Sequence, residues 1–188
     1  MRIKRTNDEL KADRPTFDEV QFIPRNPFTL LLENIRSVHN VGSIFRTADG
    51  FGVNKIILTG YTACPPRKVL HKTALGAEEV VPWTYYENPL KAAKDIKKEG
   101  IPLVLLEQTI NSKSLYDVQL EFPACFVIGN EVSGVSESLV AECDIHIEIP
   151  MSGIKQSLNV AVSVGVIGYE MLRQYKSLMS SKSFPQVK

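Results

Sequence analysis

Glu33–Val53, ENIRSVHNVGSIFRTADGFGV, crowds two asparagines, two arginines, a histidine and three glycines into a stretch whose apolar residues otherwise have the spacing of a buried helix. Guanidinium and amide groups such as Arg46 and Asn40 grip anions and orient hydroxyls. Two more segments gather comparable groups. GNEVSG, Gly129–Gly134, sets the Glu131 carboxylate between glycines, and PMSGIKQSLN, Pro150–Asn159, ends on Ser157 and Asn159. Small residues at Gly129 and Gly134 let backbone approach a ligand closely.

Other chemistries lack their sequence marks. There is no G-x-x-x-x-G-K-[ST] to cradle phosphates and no G-x-G-x-x-G opening a helix for a dinucleotide. No serine sits in a G-x-S-x-G elbow, which argues against a nucleophilic hydrolase. His39, His71 and His146 have no metal-ligand spacing, and HIEIP is not followed by the C-x-x-C of a zinc deaminase, so no metal site is expected.

The elements that must position these loops follow from periodicity. FTLLLE reads as a strand, VGSIFRTADGFG as a helix and NKIILTG as the next strand. In that helix Val41, Ile44, Phe45 and Ala48 follow the i, i+3, i+4, i+7 rule, with Asn40 at the N-cap position and Gly50 and Gly52 at the stop. The alternation continues through EVVPW, a helix begun by Asn88 and Pro89 and ended by Gly100, and the strand IPLVLLE. ACFVIGN, a short helix SESLVAEC, the strand DIHIEIP and a long helix from near Ser157 complete it. Such alternation predicts an α/β fold, a mostly parallel sheet with helices on both faces, and ligands then bind where strands end. ENIRSVHN, GNEVSG and PMSGIKQSLN each follow a predicted strand.

The organisation expected is a charged arm over 1–27, one domain over 28–175 and a basic tail over 176–188. Twenty-two basic residues nearly balance 21 acidic ones, so whole-chain charge says nothing about nucleic acid. Cys64, Cys125 and Cys143 are far apart and odd in number, which fits reduced, mostly buried thiols. MRIKRTNDELKADRPTFDEV has no apolar run behind its charges, and Leu158–Met171 is too short and too interrupted to span a bilayer. A cytoplasmic protein without a membrane partner is the expectation.

The three loops, in order, resemble the signature motifs of the SpoU (TrmH-like) branch of the SPOUT RNA methyltransferases. The first is NIRSVHNVGSIFRTA, with Asn40, Gly42 and Arg46; the second FVIGNEVSGVS, with Gly129, Glu131 and Gly134; the third IEIPMSGIKQSLNVAVSVGVIGYE, with Pro150, Ser157 and Asn159. The resemblance covers about Phe28 to Gln174. It implies methyl transfer from S-adenosylmethionine to a ribose 2'-hydroxyl in RNA, not DNA, by a homodimer whose α/β domain ends in a trefoil knot. Such a reaction needs alignment above all, because the sulfonium is already a strong methyl donor.

Residue by residue, each implied role has a plainer alternative. Arg46 reads by spacing as a surface arginine paired with Asp49 or Glu33; the resemblance makes it the group acting on the ribose hydroxyl. A guanidinium loses its proton only above about pH 12, so gripping the neighbouring phosphate is physically easier than acting as a base. Asn40 and Ser157 also serve as helix caps, and Glu131 as an exposed loop carboxylate, whereas the resemblance groups all three with Asn159 as the catalytic set. Gly129, Asn130, Ile149, Met151 and Leu158 fall where the family wraps the cofactor, bordered by Glu107 and Gln108; otherwise Ile149 and Leu158 are core.

CPPRKVLHKTALG gathers Arg67, Lys68, His71 and Lys72 into a basic loop expected to hold RNA phosphates. Arg2, Lys4, Arg5, Lys11 and Arg14 on the arm are further candidates, while Lys91, Lys94, Lys97 and Lys98 read as solvated surface. The final helix, apolar nearly all round with small residues at Ala161, Gly165 and Gly168, predicts burial on every side, in a dimer interface or a monomer core. Compact members acting on transfer RNA look closest, with ribosomal RNA as the alternative. An inactive RNA-binding relative and a nucleotide-dependent oxidoreductase are the competing classes, and the missing glycine fingerprint counts against the second.

Overall fold

The computed structural model describes residues 4–182. Arg2 and the tail beyond Lys182 therefore lie outside the described residues. Seven strands form one sheet in the order β3-β2-β1-β6-β4-β7-β5: Asn26–Glu33 (β1), Val53–Thr59 (β2), Trp83–Tyr86 (β3), Leu103–Leu106 (β4), Lys113–Ser114 (β5), Ala124–Ile128 (β6) and Ile145–Glu148 (β7). Every pairing is parallel.

The strands are apolar on both sides, as a sheet covered on both faces requires. Alternate residues split between two cores. Leu30, Leu32, Ile56, Leu58, Phe126 and Ile128 point to one core, with Val38–Gly50 (α3), Lys68–Ala74 (α4), Ala77–Val80 (α5) and Val160–Lys182 (α8). Leu31, Ile57, Leu105 and Val127 point to the other, with Pro89–Lys98 (α6) and Glu137–Val140 (α7). The chain leaves β1 through α3 on one face and leaves β6 through α7 on the other. Neighbouring strands whose connections diverge open a crevice at their carboxyl ends. The expected α/β class is met, and ENIRSVHN, GNEVSG and PMSGIKQSLN all follow strand ends on this edge.

Four local expectations change. Ser37, not Asn40, caps α3, its hydroxyl accepting from the Asn40 amide nitrogen at 3.3 Å; Asn40 is the third helical residue and its side chain is free for other partners. The last helix starts at Val160 instead of near Ser157, and Asn159 caps it, accepting from Ala161 N at 2.9 Å. EVVPW is not a strand: Gly76, at φ +91°, opens the short helix α5, and the strand begins after Pro82 at the β-favouring WTYY. The expected basic loop is largely the helix α4.

Asn7–Ala12 (α1) and Phe17–Val20 (α2) make up much of the arm. Each is closed by a capping box, Thr6 with Glu9 and Thr16 with Glu19, and neither buries a residue. Arg25 fastens the arm to the domain by donating to the carbonyls of Val53 and Val80. β1 begins at Asn26, two residues ahead of the expected boundary.

One expectation for α8 is redirected. A Cβ on Gly168 would lie 2.2 Å from the Phe51 ring, so that gap in the helix surface is filled by this chain's own aromatic. Val164, Ile167 and Met171 are buried, whereas Val162 and Tyr169 stay about half exposed.

Candidate active site

Gly129, Asn130, Ile149, Met151, Leu158, Glu107 and Gln108 all line one cavity, of about 230 Å³, at the ends of β4, β6 and β7. The close approach of backbone there requires glycine. A Cβ on Gly129 would sit 2.3 Å from Val135 N and 2.4 Å from the Gly134 carbonyl carbon. Gly134, at φ +68°, would drive a Cβ to 2.4 Å from the Glu107 carboxylate. Glu107 in turn accepts from Gln108 N at 3.1 Å and Val135 N at 3.3 Å, tying the β4 loop to the β6 loop.

Asn130 belongs to the wall in a different sense from that expected. Its side-chain amide donates to Asn34 O at 2.8 Å and to the Tyr61 hydroxyl at 2.7 Å, and its oxygen accepts from Val132 N and Ser133 N. Every hydrogen-bonding position of the side chain is engaged, so Asn130 shapes the cavity.

Beside the cavity three motif residues form a chain of bonds. Asn159 Nδ2 donates to Asn40 Oδ1 at 3.1 Å, and Asn40 Nδ2 donates to Glu131 Oε1 at 2.8 Å. Glu131 also accepts from Arg36 N at 2.8 Å and Ser37 N at 3.0 Å, the first amides around the start of α3. Partial burial pushes the Glu131 carboxyl upward, but the donors from Arg36, Asn40 and Ser37 outweigh it and hold the group below its ordinary value. The carboxylate therefore joins all three loops as an anion. Ser157 and Glu131 both line the cavity, so this polar chain opens directly onto it.

Arg46 stands apart. It lies six residues beyond Asn40 on α3, about 9 Å along the axis and on another face. It lines a shallow surface cavity with Lys72, Thr73 and Tyr169, not the one holding Ser157. The ion pairs suggested by spacing do not form: Glu33 is buried and accepts from Ser136 N at 2.8 Å and Ser136 Oγ at 2.6 Å. Among the described residues no ion pair joins Arg46 to Asp49.

Of the basic candidates, Arg67, Lys68 and Lys72 are exposed. His71 is committed: its Nδ1 lies 2.6 Å from Glu78 Oε1, and Glu78 is buried with its other carboxylate oxygen unpartnered. With Glu79 these two bring ligand atoms within 4.8 Å of one another. Lys94, Lys97 and Lys98, expected as solvated surface, pair there with Glu142, Asp144 and Asp95. Burial pushes the Cys143 thiol up to about 12 and raises that of Cys125, which keeps both protonated and unreactive. Among the described residues no helix is long and apolar enough to cross a membrane.

Sequence reasoning missed Arg36 and Ser37, whose amides hold Glu131, and Glu33, which holds Ser136. A cap signal was legible at Ser37, a serine just before the apolar helical run. Nothing in the sequence marked a backbone N–H of Arg36.

The fold and cavity define a parallel α/β domain with a cavity at its strand ends and an ionised carboxylate beside it. Residues 27–169 match the SpoU rRNA Methylase family, and the chain belongs to it. A 23S rRNA (guanosine-2'-O-)-methyltransferase, RlmB, from Neisseria meningitidis is 32% identical over 157 residues, 84% of this chain and 62% of that protein. The chain thus spans about six-tenths of the length of such curated relatives. Among solved structures, the A. aeolicus TrmH/SpoU tRNA modifying enzyme matches with TM-score 0.78 and 28% identity, over 95% of this chain and 89% of that one. AviRb from Streptomyces viridochromogenes, solved in complex with AdoMet, matches with TM-score 0.74 and 28% identity, over 87% and 66%.

Proposed function

We propose that this protein transfers a methyl group from S-adenosylmethionine to a ribose 2'-hydroxyl, with ribosomal RNA as the favoured substrate class. The observation that carries the reading is the single cavity that collects all seven expected cofactor residues, with the Asn159–Asn40–Glu131 chain at its edge. The residues suit the cofactor. Ile149, Met151 and Leu158 supply apolar walls for a flat ring, Gly129 admits close backbone approach, and Glu107 and Gln108 supply polar groups for hydroxyls. When bound, S-adenosylmethionine supplies a methyl on a sulfonium.

The chain's residues do the positioning. Glu131 fixes the start of α3 and, through Asn40, Asn159 at the start of α8, so the walls keep one relative geometry. Ser157 offers a hydroxyl at the cavity edge. Arg46 is assigned the phosphate beside the target ribose, since a guanidinium holds two phosphate oxygens at once.

A second copy of the chain is part of this proposal. Ser43 and Thr47 of α3 line a surface groove with Val162, Gly165 and Val166 of α8, and Val162 is 52% exposed. A homodimer packed there buries the apolar side of α8. Light scattering should give twice the chain mass, falling to the single mass in Val162→Asp; a wild-type monomer removes the dimer.

Relatives named as 23S rRNA methyltransferases favour ribosomal RNA. Transfer RNA is the second reading, favoured by near full-length coverage of the A. aeolicus tRNA-modifying relative. Unmodified 23S rRNA and tRNA transcripts, offered separately with methyl-labelled S-adenosylmethionine, decide between them. Label on the ribosomal transcript alone supports the first reading; label on transfer RNA alone replaces it.

A further inference from the structure

We infer that Tyr61 and Tyr85 form a fixed stacking platform for an unpaired base of the RNA, on the side of the cleft opposite the cofactor cavity. This rests on the RNA reading above and adds a binding subsite to it.

Tyrosines at a surface ordinarily bury the ring and leave the hydroxyl wet. Here the arrangement is reversed. Tyr61 is 64% exposed and Tyr85 48%, yet both hydroxyls are tied to the protein. The Tyr61 hydroxyl accepts from Asn130 Nδ2 at 2.7 Å, and its backbone N donates to Asn34 Oδ1 at 3.1 Å. The Tyr85 hydroxyl donates to Gly60 O at 2.9 Å. The turn between them is built to close tolerance: Gly60 is at φ +60°, and a Cβ there would meet Asn34 Oδ1 at 2.0 Å.

Placement gives the ring faces a use. Tyr61 follows β2 by two residues, and Tyr85 is paired in register with Leu58, so its side chain shares the sheet face that carries α3 and α4. In strand order the tyrosines lie beyond β1, the cofactor cavity lies at β4, β6 and β7, and Asn130 links the two sides. An RNA strand whose target ribose sits by Glu131 would pass over this edge. Exposed cations accompany it: Arg36 on the β1 loop, and Arg67 and Lys68 where the loop from Tyr61 reaches α4. Flat apolar faces with flanking cations suit a nucleotide, whose base stacks while its phosphates pair. Rings already held in place lose little freedom on binding.

The test measures RNA affinity, KM and kcat with the unmodified transcript that accepts label, for Tyr61→Ala, Tyr61→Phe, Tyr85→Ala and Tyr85→Phe. S-adenosylmethionine affinity is measured by calorimetry alongside. The platform predicts that each alanine variant raises the RNA Kd and KM by roughly ten-fold, with kcat and cofactor affinity near wild type in Tyr85→Ala, while each phenylalanine variant stays within about three-fold. Phenylalanine as damaging as alanine would assign these residues to holding Asn130 and Gly60 and overturn the stacking role. Unchanged RNA affinity in the alanine variants, or a changed solution mass, would also overturn it. Failure of the wild-type protein to bind or methylate any RNA would instead remove the RNA reading itself, and the platform with it.

Discussion

The two sides of the cleft are built differently. Around the cavity, backbone groups and buried polar bonds set the geometry within one chain: Gly129 against Val135 N, Glu107 against two amides, and Glu131 against two more plus Asn40. On the other side Arg46 on α3, Lys72 on α4 and Arg67 just ahead of α4 are exposed side chains. On the proposed reading, the cofactor side is preorganised by backbone and buried polar bonds, whereas phosphates on the RNA side meet exposed cations that grip without reading sequence.

Changes on the fixed side should damage structure and ligand binding together, and changes on the exposed side should separate them. Gly129→Ala is the largest expected effect: its Cβ meets backbone that has no freedom to move, destabilising the fold by about 1–3 kcal/mol and abolishing cofactor binding in calorimetry. Arg46→Ala should cut transfer at least about a hundred-fold while thermal midpoint and cofactor affinity hold. Near-normal turnover by that folded variant would strip Arg46 of its role.

Glu131→Gln should lower turnover about ten- to a hundred-fold, since it replaces an anionic acceptor of three donors by a neutral one. Its pH signature has a definite sign. The folded carboxyl titrates below its ordinary value of 4.5, so its stabilising contribution is present above that pH and is lost as pH falls below it. Acid melts of wild type and Glu131→Gln should therefore converge as pH drops; a constant gap would show that the charge is not what stabilises. Lys72→Ala is the smallest effect, weakening RNA binding a few-fold and reducing the salt slope by about one.

The same division explains what was legible in the sequence. The strand runs and the α3 stripe were readable because burial imposes period and composition, and Val41, Ile44, Phe45 and Ala48 are all buried as expected. The residues proposed for the cofactor were singled out through motifs that resemble a known family, and the structure brings them to one cavity; the trefoil knot came from that resemblance alone. Helix starts were misread at Asn40 and Ser157 because any of several polar residues near a helix start can cap it, and only the fold shows which one turns inward. Asn40 reaches Glu131 across 91 positions, and Tyr61 is joined to Asn130 across 69. Periodicity is a local signal and carries no trace of such pairings. Arg46 was legible as a residue type in a motif, yet spacing suggested partners that the fold gives to Ser136 or leaves apart.

Whether this cavity delivers a methyl group to a ribose oxygen is decided by reacting the wild-type protein with methyl-labelled S-adenosylmethionine and unmodified RNA, digesting the product to nucleosides and identifying the labelled one by mass spectrometry. Label is expected solely on a 2'-O-methylated nucleoside; label on a base would contradict ribose methylation.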